Sequence, residues 1–227
     1  MKYKAVIFDL GGTLVTQPSH VEFTDSARKI ASAVSAPLED FVEMWFARFG
    51  GFTTGGYQDY QEYIRYVCGQ IGHKTEDTLV NYAATIPFEI TRRTATVPRE
   101  GAIELLTHLK SDGCKIGLIS DCAVDIPIVW LETLFVPFFD STIFSCSVGM
   151  VKADPAIFSL ALDELGLEPG DCLYIADGMR DELANAVKVG LDAVRLHIDA
   201  EIDENPMRED WEGPVITSLM EVRELVE

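Results

Sequence analysis

Four side chains stand out by type and by place: Asp9 in IFDLGGTL, Ser120 closing KIGLIS, Lys152 in VGMVKADP and Asp177 in YIADGMRDE, where a second acid, Asp181, follows. A carboxylate, a hydroxyl, an ammonium and a carboxylate pair, brought to one spot, have the parts needed to transfer a phosphoryl group. A carboxylate such as Asp9 can attack phosphorus and form an aspartyl phosphate, which splits one hard displacement into two easier ones. Ser120 and Lys152 would hold the transferring oxygens, where charge must be stabilised in the transition state. Asp177, with Asp181, would join Asp9 around Mg²⁺. That hard cation prefers oxygen ligands and shields the repulsion between an anionic nucleophile and an anionic substrate.

These residues meet only if the elements that carry them end side by side. KAVIF (4–8), KIGLIS (115–120), STIFSC (141–146), CLYIA (172–176) and DAVRL (192–196) are apolar runs of strand type. Runs apolar on both faces suit a parallel sheet covered by helices on either side. Helical patterns lie between them at 99–113, 154–166 and 181–190, and another opens near Pro127 with Asp125 as its cap. Alternating strand and helix predicts a doubly wound α/β core, and such cores bind ligands outside the carboxyl ends of their strands. The candidate residues fall at those ends.

The stretch 16–95 breaks the alternation and reads as successive helices over 22–34, 37–49, 57–71 and 75–91. Phe41, Met44, Trp45 and Phe49 form one apolar stripe, and Tyr60, Ile64, Val67 and Ile71 another. An all-helical block inserted after the first strand predicts a cap domain, with the core formed by 1–15 and 96–227. The aromatic stripes are expected to be the cap's own interior. GGFTTGG (50–56) is expected to be a flexible turn facing the active site, since it lacks the Lys and the strand–helix setting of a phosphate-cradling loop.

Composition narrows the partners. Eighteen Lys and Arg against 37 Asp and Glu give a net charge of −19 over 227 residues. Such a surface repels phosphate backbones and anionic lipid, which argues against nucleic-acid or membrane binding. No run approaches the length of a bilayer span, and the N-terminal apolar run is too short for a signal peptide. The five cysteines, Cys68, Cys114, Cys122, Cys146 and Cys172, are odd in number and contain no C-x-x-C pair. They are expected to be reduced thiols of a cytoplasmic protein rather than metal ligands.

FDLGGTL, the Ser120 that ends LIS, the Lys152 of VGMVKADPAIF and YIADGMRDEL, in that order, resemble the four motifs of the haloacid dehalogenase-like hydrolase superfamily. The helical block between the first two resembles that family's C1-type cap. The resemblance implies a Rossmann-like core, Mg²⁺, Asp9 as nucleophile and the Gly11 carbonyl as a further metal ligand. It also implies a small phosphorylated substrate lying against Gly12, Thr13, Ser120 and Lys152.

The sequence departs from the resemblance at one position. The family's phosphatases carry a second Asp two residues after the nucleophile, which protonates the leaving alcohol and later activates water. Here that residue is Gly11. A positioned acid/base contributes about 10² to 10⁴ in rate. One reading is a hydrolase that takes its proton from His20, Asp121 or an acidic cap residue, or that acts on a good leaving group such as an acyl phosphate. A second is a carbon–phosphorus hydrolase similar to phosphonoacetaldehyde hydrolase, which needs a Schiff-base lysine where the insert offers only Lys29 and Lys74. A third is a protein that binds a phosphorylated metabolite or a protein partner without turnover. A metal-free dehalogenase is set aside, because ADGMRDE is rich in carboxylates, Asp177, Asp181 and Glu182, where those enzymes carry a Ser-Asn type motif. Glu182 reads as a helix-start residue, Arg180 as solvated, and His73, His108 and His197 as structural or surface groups.

Overall fold

The computed structural model describes residues 1–198 and 208–227. Within them the strands β1 (Ala5–Phe8), β2 (Lys115–Ser120), β3 (Ser141–Phe144), β4 (Cys172–Ala176), β5 (Asp192–Leu196) and β6 (Val215–Ile216) form one sheet in the order β3-β2-β1-β4-β5-β6. Every pairing is parallel. The chain builds outward from β1 to β3, then returns to β4 on the other side of β1. That reversal opens a crevice at the carboxyl end of β1, the topological switch point of a Rossmann-like sheet.

β1 is wholly buried, and its side chains alternate between two cores, as the period of a strand requires. Val6 and Phe8 join one cluster with α6 (Ala102–Ser111) and α11 (Val222–Val226). Ala5 and Ile7 join the other with α9 (Ala156–Leu165) and α10 (Glu182–Val189). Full burial of a side chain such as Phe8 contributes about 1.5–3 kcal/mol. The strand that carries Asp9 is therefore anchored from both faces.

Between β1 and α6 the chain forms α1 (His20–Ala33), α2 (Leu38–Thr53), α3 (Tyr60–Gln70), α4 (Asp77–Ala83) and α5 (Ile86–Ala95). A capping box between Ser19 and Glu22 starts α1, and the Asp59 side chain starts α3. The two aromatic stripes close on each other in a separate core of their own, where Trp45 lies 4.6 Å from Tyr63, ring centre to ring centre.

Three local expectations are corrected. The single helix expected over 75–91 is two, because Pro87 sits in the first turn of α5, where its missing N–H does no harm. GGFTTGG is not a simple turn: α2 continues to Thr53, since Phe52 is fully buried against Tyr60 and Tyr63. The STIFSC strand stops at Phe144, and Ser145 opens a short helix, α8 (Ser145–Val148).

Among the described residues, buried hydrogen bonds at Asp125 and Ser145 hold the insert to the core. Asp125, in the first turn of α7 (Asp125–Trp130), accepts hydrogen bonds from Tyr60 Oη at 3.1 Å and from the Thr91 hydroxyl, so it ties α3 and α5 down instead of capping its own helix. Ser145 Oγ donates to the Thr53 carbonyl at 2.7 Å. Among the described residues no helix is long and apolar enough to cross a membrane.

Candidate active site

Asp9 is the first residue beyond β1, and its amide still donates to the Ile175 carbonyl of β4 at 3.0 Å. The chain then turns sharply: Gly12 takes φ +82°, and the Gly12 amide donates to Val15 O at 2.8 Å. The Arg99 guanidinium clasps this turn from outside, donating to Thr13 O at 2.8 Å and Gly12 O at 3.0 Å. Thr13 Oγ1 in turn donates to Asp9 Oδ2 at 3.0 Å. The turn that the glycines permit is thus what aims a hydroxyl at the Asp9 carboxylate.

The other Asp9 oxygen, Oδ1, is 2.5 Å from Lys152 Nζ. Lys152 is buried and bridges Asp9 to Glu182, which is fully buried on the first turn of α10. Glu182 also accepts from Tyr174 Oη at 2.7 Å and from the amides of Gly178 and Met179 at 3.1 and 2.8 Å. The Lys152 backbone is pinned as well: its amide donates to Asp121 Oδ1 at 2.9 Å, and its carbonyl accepts from Asn185 Nδ2 at 3.0 Å. Every position around the ammonium is held by a second contact.

Asp177 directly follows β4, which pairs with β1, and its carboxylate lies against the Gly12 backbone. Arg208 donates to the Asp177 carbonyl at 2.9 Å and approaches Oδ2 at 3.6 Å, while Oδ1 is buried and, among the described residues, has no hydrogen-bond partner. Ser120, buried at the end of β2, completes the row of strand ends.

Acidic groups outnumber basic ones here, and the titration behaviour follows. Burial pushes Asp9 up to about 6 against the pull of Lys152. Burial, then the charges of Glu182 and Asp9, push Asp177 up to about 8. For Lys152 burial opposes the charge, but Asp9, Glu182 and Asp121 outweigh it and hold the ammonium well above its ordinary value. Burial likewise opposes ionisation of Glu182, yet Lys152 and the loop amides keep it below the usual carboxylate range.

The residues present fit a divalent cation. A buried carboxylate oxygen without a partner among the described residues, on a carboxyl whose proton affinity is raised by burial and crowded negative charge, is what a hard cation relieves. Among the described residues no group of three or more His, Cys, Asp or Glu could hold a metal. A cation there would be held by Asp9 and Asp177, with main-chain oxygens making up the rest of its ligands.

The structure brings Asp9, Thr13, Lys152 and Asp177 together, with Gly12 packed on Asp177. Asp181 is a correction. It is exposed, adopts φ +59° at the head of α10 and makes no capping hydrogen bond. Its neighbour Glu182 turns inward and takes the lysine. Helical spacing does not single it out, since Asp181 and Glu182 fall four and three residues before the buried Asn185. Arg208 lies far along the chain and belongs to no motif, and Glu209, which accepts from the Leu183 amide at 2.8 Å to start α10, was equally hidden. His20, Lys29 and Lys74 are exposed, and His73 is spent on the Val34 carbonyl at 2.9 Å.

A parallel α/β sheet with an acid at the end of its central strand and a helical insert directly after it defines a class of hydrolytic enzymes. The chain belongs to the haloacid dehalogenase-like hydrolases, whose family model matches residues 3–187. It is 27% identical to a glyceraldehyde 3-phosphate phosphatase of Methanopyrus kandleri over 91% of this chain and 89% of that protein. It is 24% identical to a pyrimidine 5′-nucleotidase of Escherichia coli over 100% of this chain and 99% of that one. A 32% match to the Rhythmically expressed gene 2 protein of Drosophila melanogaster covers 44% of this chain and 41% of that protein. In fold it is similar to a predicted HAD-like hydrolase from Porphyromonas gingivalis (TM-score 0.67, 21% identity, all of both chains). It is also similar to a Bacteroides thetaiotaomicron HAD family enzyme solved with magnesium and inorganic phosphate (TM-score 0.65, 16% identity, 92% of this chain and 97% of that one).

Proposed function

We propose that this hydrolase is a Mg²⁺-dependent phosphatase of small phosphorylated metabolites with good leaving groups, working through an aspartyl phosphate on Asp9. The observation that carries the reading is the Asp9 carboxylate, held on one oxygen by Lys152 and on the other by Thr13, beside an Asp177 oxygen that has no partner among the described residues. Phosphatase relatives across nearly the full chain support it.

Asp9 is ionised above about pH 6 and so is available as a nucleophile at neutral pH. Lys152, kept charged by Glu182, would neutralise the phosphoryl oxygens as they approach, and Ser120 would donate to them. Asp9, Asp177 and the Gly11 carbonyl would hold Mg²⁺, which when bound offsets the negative charge of nucleophile and phosphate. The insert, seated by Asp125 and Ser145, would select the substrate as a cap.

At position 11 no side chain is present to protonate a leaving alcohol, which favours leaving groups that depart as stable anions. Asp121, which holds the Lys152 amide and is pushed up by burial, is the strand-end acid best suited to supply a proton in its place. The carbon–phosphorus reading has little support, since both candidate Schiff-base lysines, Lys29 and Lys74, are exposed and a low-pKa amine needs burial.

The test is hydrolysis of acetyl phosphate and p-nitrophenyl phosphate with and without Mg²⁺, for the wild type, Asp9→Asn and Gly11→Asp. Turnover that needs Mg²⁺ and Asp9, and rises on p-nitrophenyl phosphate in Gly11→Asp, is expected. A Cβ at Gly11 meets nothing nearer than Gln17 side-chain carbons at 3.8 Å, so the acid can be installed without a clash. A wild type that is silent while Gly11→Asp is active would instead identify a binding protein.

A further inference from the structure

Beside the strand ends, under the helical insert, lies a pair of thiols that the phosphoryl chemistry leaves unused. β2 and β3 pair in register with Ser120 opposite Phe144. Cys122 and Cys146 therefore each stand two residues beyond a strand end, and their sulfurs are 3.9 Å apart. Cys122 is buried, and Cys146 is partly open to solvent.

The two sulfurs are not equivalent. Hydrogen bonding from Cys122, helped by Ser147, makes Cys146 more acidic than an ordinary thiol, while burial holds Cys122 protonated. An accessible, acidified thiol beside a buried partner is the arrangement of an attacking and a resolving cysteine.

We propose that Cys122 and Cys146 form a redox modification site, at which hydrogen peroxide closes a reversible disulfide between the ends of β2 and β3. The Cys146 thiolate attacks one peroxide oxygen, the O–O bond breaks, and the departing hydroxide takes a proton, leaving a sulfenic acid and water. Cys122 then attacks the Cys146 sulfur. The S–S bond forms, the S–O bond breaks, and the hydroxyl leaves as water with the Cys122 proton. Two thiols lose two electrons, and one peroxide becomes two waters.

The site matters because it is also the seat of the insert. Ser145 Oγ accepts from the Cys122 amide at 2.9 Å and donates to Thr53 O. A Cβ at Gly55, whose φ is +75°, would lie 2.5 Å from the Cys146 carbonyl oxygen, so the bend after α2 rests directly on the Cys146 backbone. Drawing the sulfurs from 3.9 Å to about 2.05 Å moves the main chain on which residues 53–55 sit.

The experiment is native oxidation of the wild-type protein with hydrogen peroxide, followed by quenching, denaturation, thiol counting and peptide mapping by mass spectrometry. Loss of two of the five thiols, a cross-linked peptide joining Cys122 to Cys146, and recovery of both thiols with dithiothreitol are expected. Cys122→Ser should leave a sulfenic acid on Cys146 that dimedone captures, and Cys146→Ser should keep its thiols at the same dose. Unchanged thiols, a cross-link between other cysteines, or over-oxidised Cys146 without a cross-link would each overturn the site. The wild-type map decides the matter even if a serine variant fails to fold, and it is independent of what the enzyme hydrolyses.

Discussion

A methyl group placed on Gly12 would lie 2.5 Å from Asp177 Oδ2, so the backbone after the nucleophile is in direct contact with the carboxylate of the neighbouring strand. The same residue sits at φ +82°, a conformation that costs an L-residue about 1–2 kcal/mol before any collision. Gly12→Ala should therefore push Asp177 aside and lower the stability by at least that amount. Mg²⁺ affinity should fall with it. Gly11→Ala is the control, since its backbone is ordinary and its space is open. Urea unfolding and Mg²⁺ titration of the two variants should separate them clearly; equal behaviour would refute the close approach.

Lys152 neutralises two carboxylates that are otherwise buried. Removing one partner of a buried ion pair costs about 3–5 kcal/mol, because the other charge is left uncompensated. Lys152→Met should cost that much in chemical denaturation. Glu182→Gln should cost less, about 1–3 kcal/mol, because an amide oxygen can still accept from Gly178 and Met179. A Lys152→Met midpoint equal to that of the wild type would contradict the network.

The pH dependence has a definite sign. Asp9 and Asp177 titrate higher in the folded protein than ordinary carboxylates do, at about 6 and about 8. The native state then binds more protons than the unfolded one, so the metal-free protein loses stability as pH rises from the usual carboxylate range through about 8. Mg²⁺ needs the ionised carboxylates, so its affinity should climb about tenfold per pH unit up to the Asp177 value, and more steeply below that of Asp9. Melting temperatures with and without Mg²⁺ across a pH series test both halves. A metal-free protein that grows more stable toward alkaline pH would contradict the assignment.

Asp125 holds the insert to the core through Tyr60 and Thr91, and burial raises its own affinity for a proton. Asp125→Ala leaves two hydroxyls without their acceptor and should cost about 1–3 kcal/mol. If the insert selects substrate, KM should rise more than kcat falls. Unfolding curves and steady-state kinetics on acetyl phosphate measure the two effects.

The alternation of buried apolar runs with capped helices determined the parallel sheet, because a strand covered on both faces needs apolar residues at every position. It also determined that Asp9, Ser120 and Asp177 stand at or just beyond strand ends and that Lys152 precedes a helix, so the four were legible in order from the sequence. What it could not decide was direction at a turn. Asp181 and Glu182 are adjacent acids, and only the left-handed backbone at Arg180 and Asp181 selects Glu182 as the one that faces Lys152. Arg208 reaches Asp177 from outside every motif, since a contact across the fold leaves no local pattern. The extension of α2 through two glycines was decided by Phe52, whose burial among tyrosines of α3 outweighs the helix cost of Gly, about 1 kcal/mol each. Local sequence determined the elements and the chemistry they could present. Packing between distant segments decided which acid meets which base.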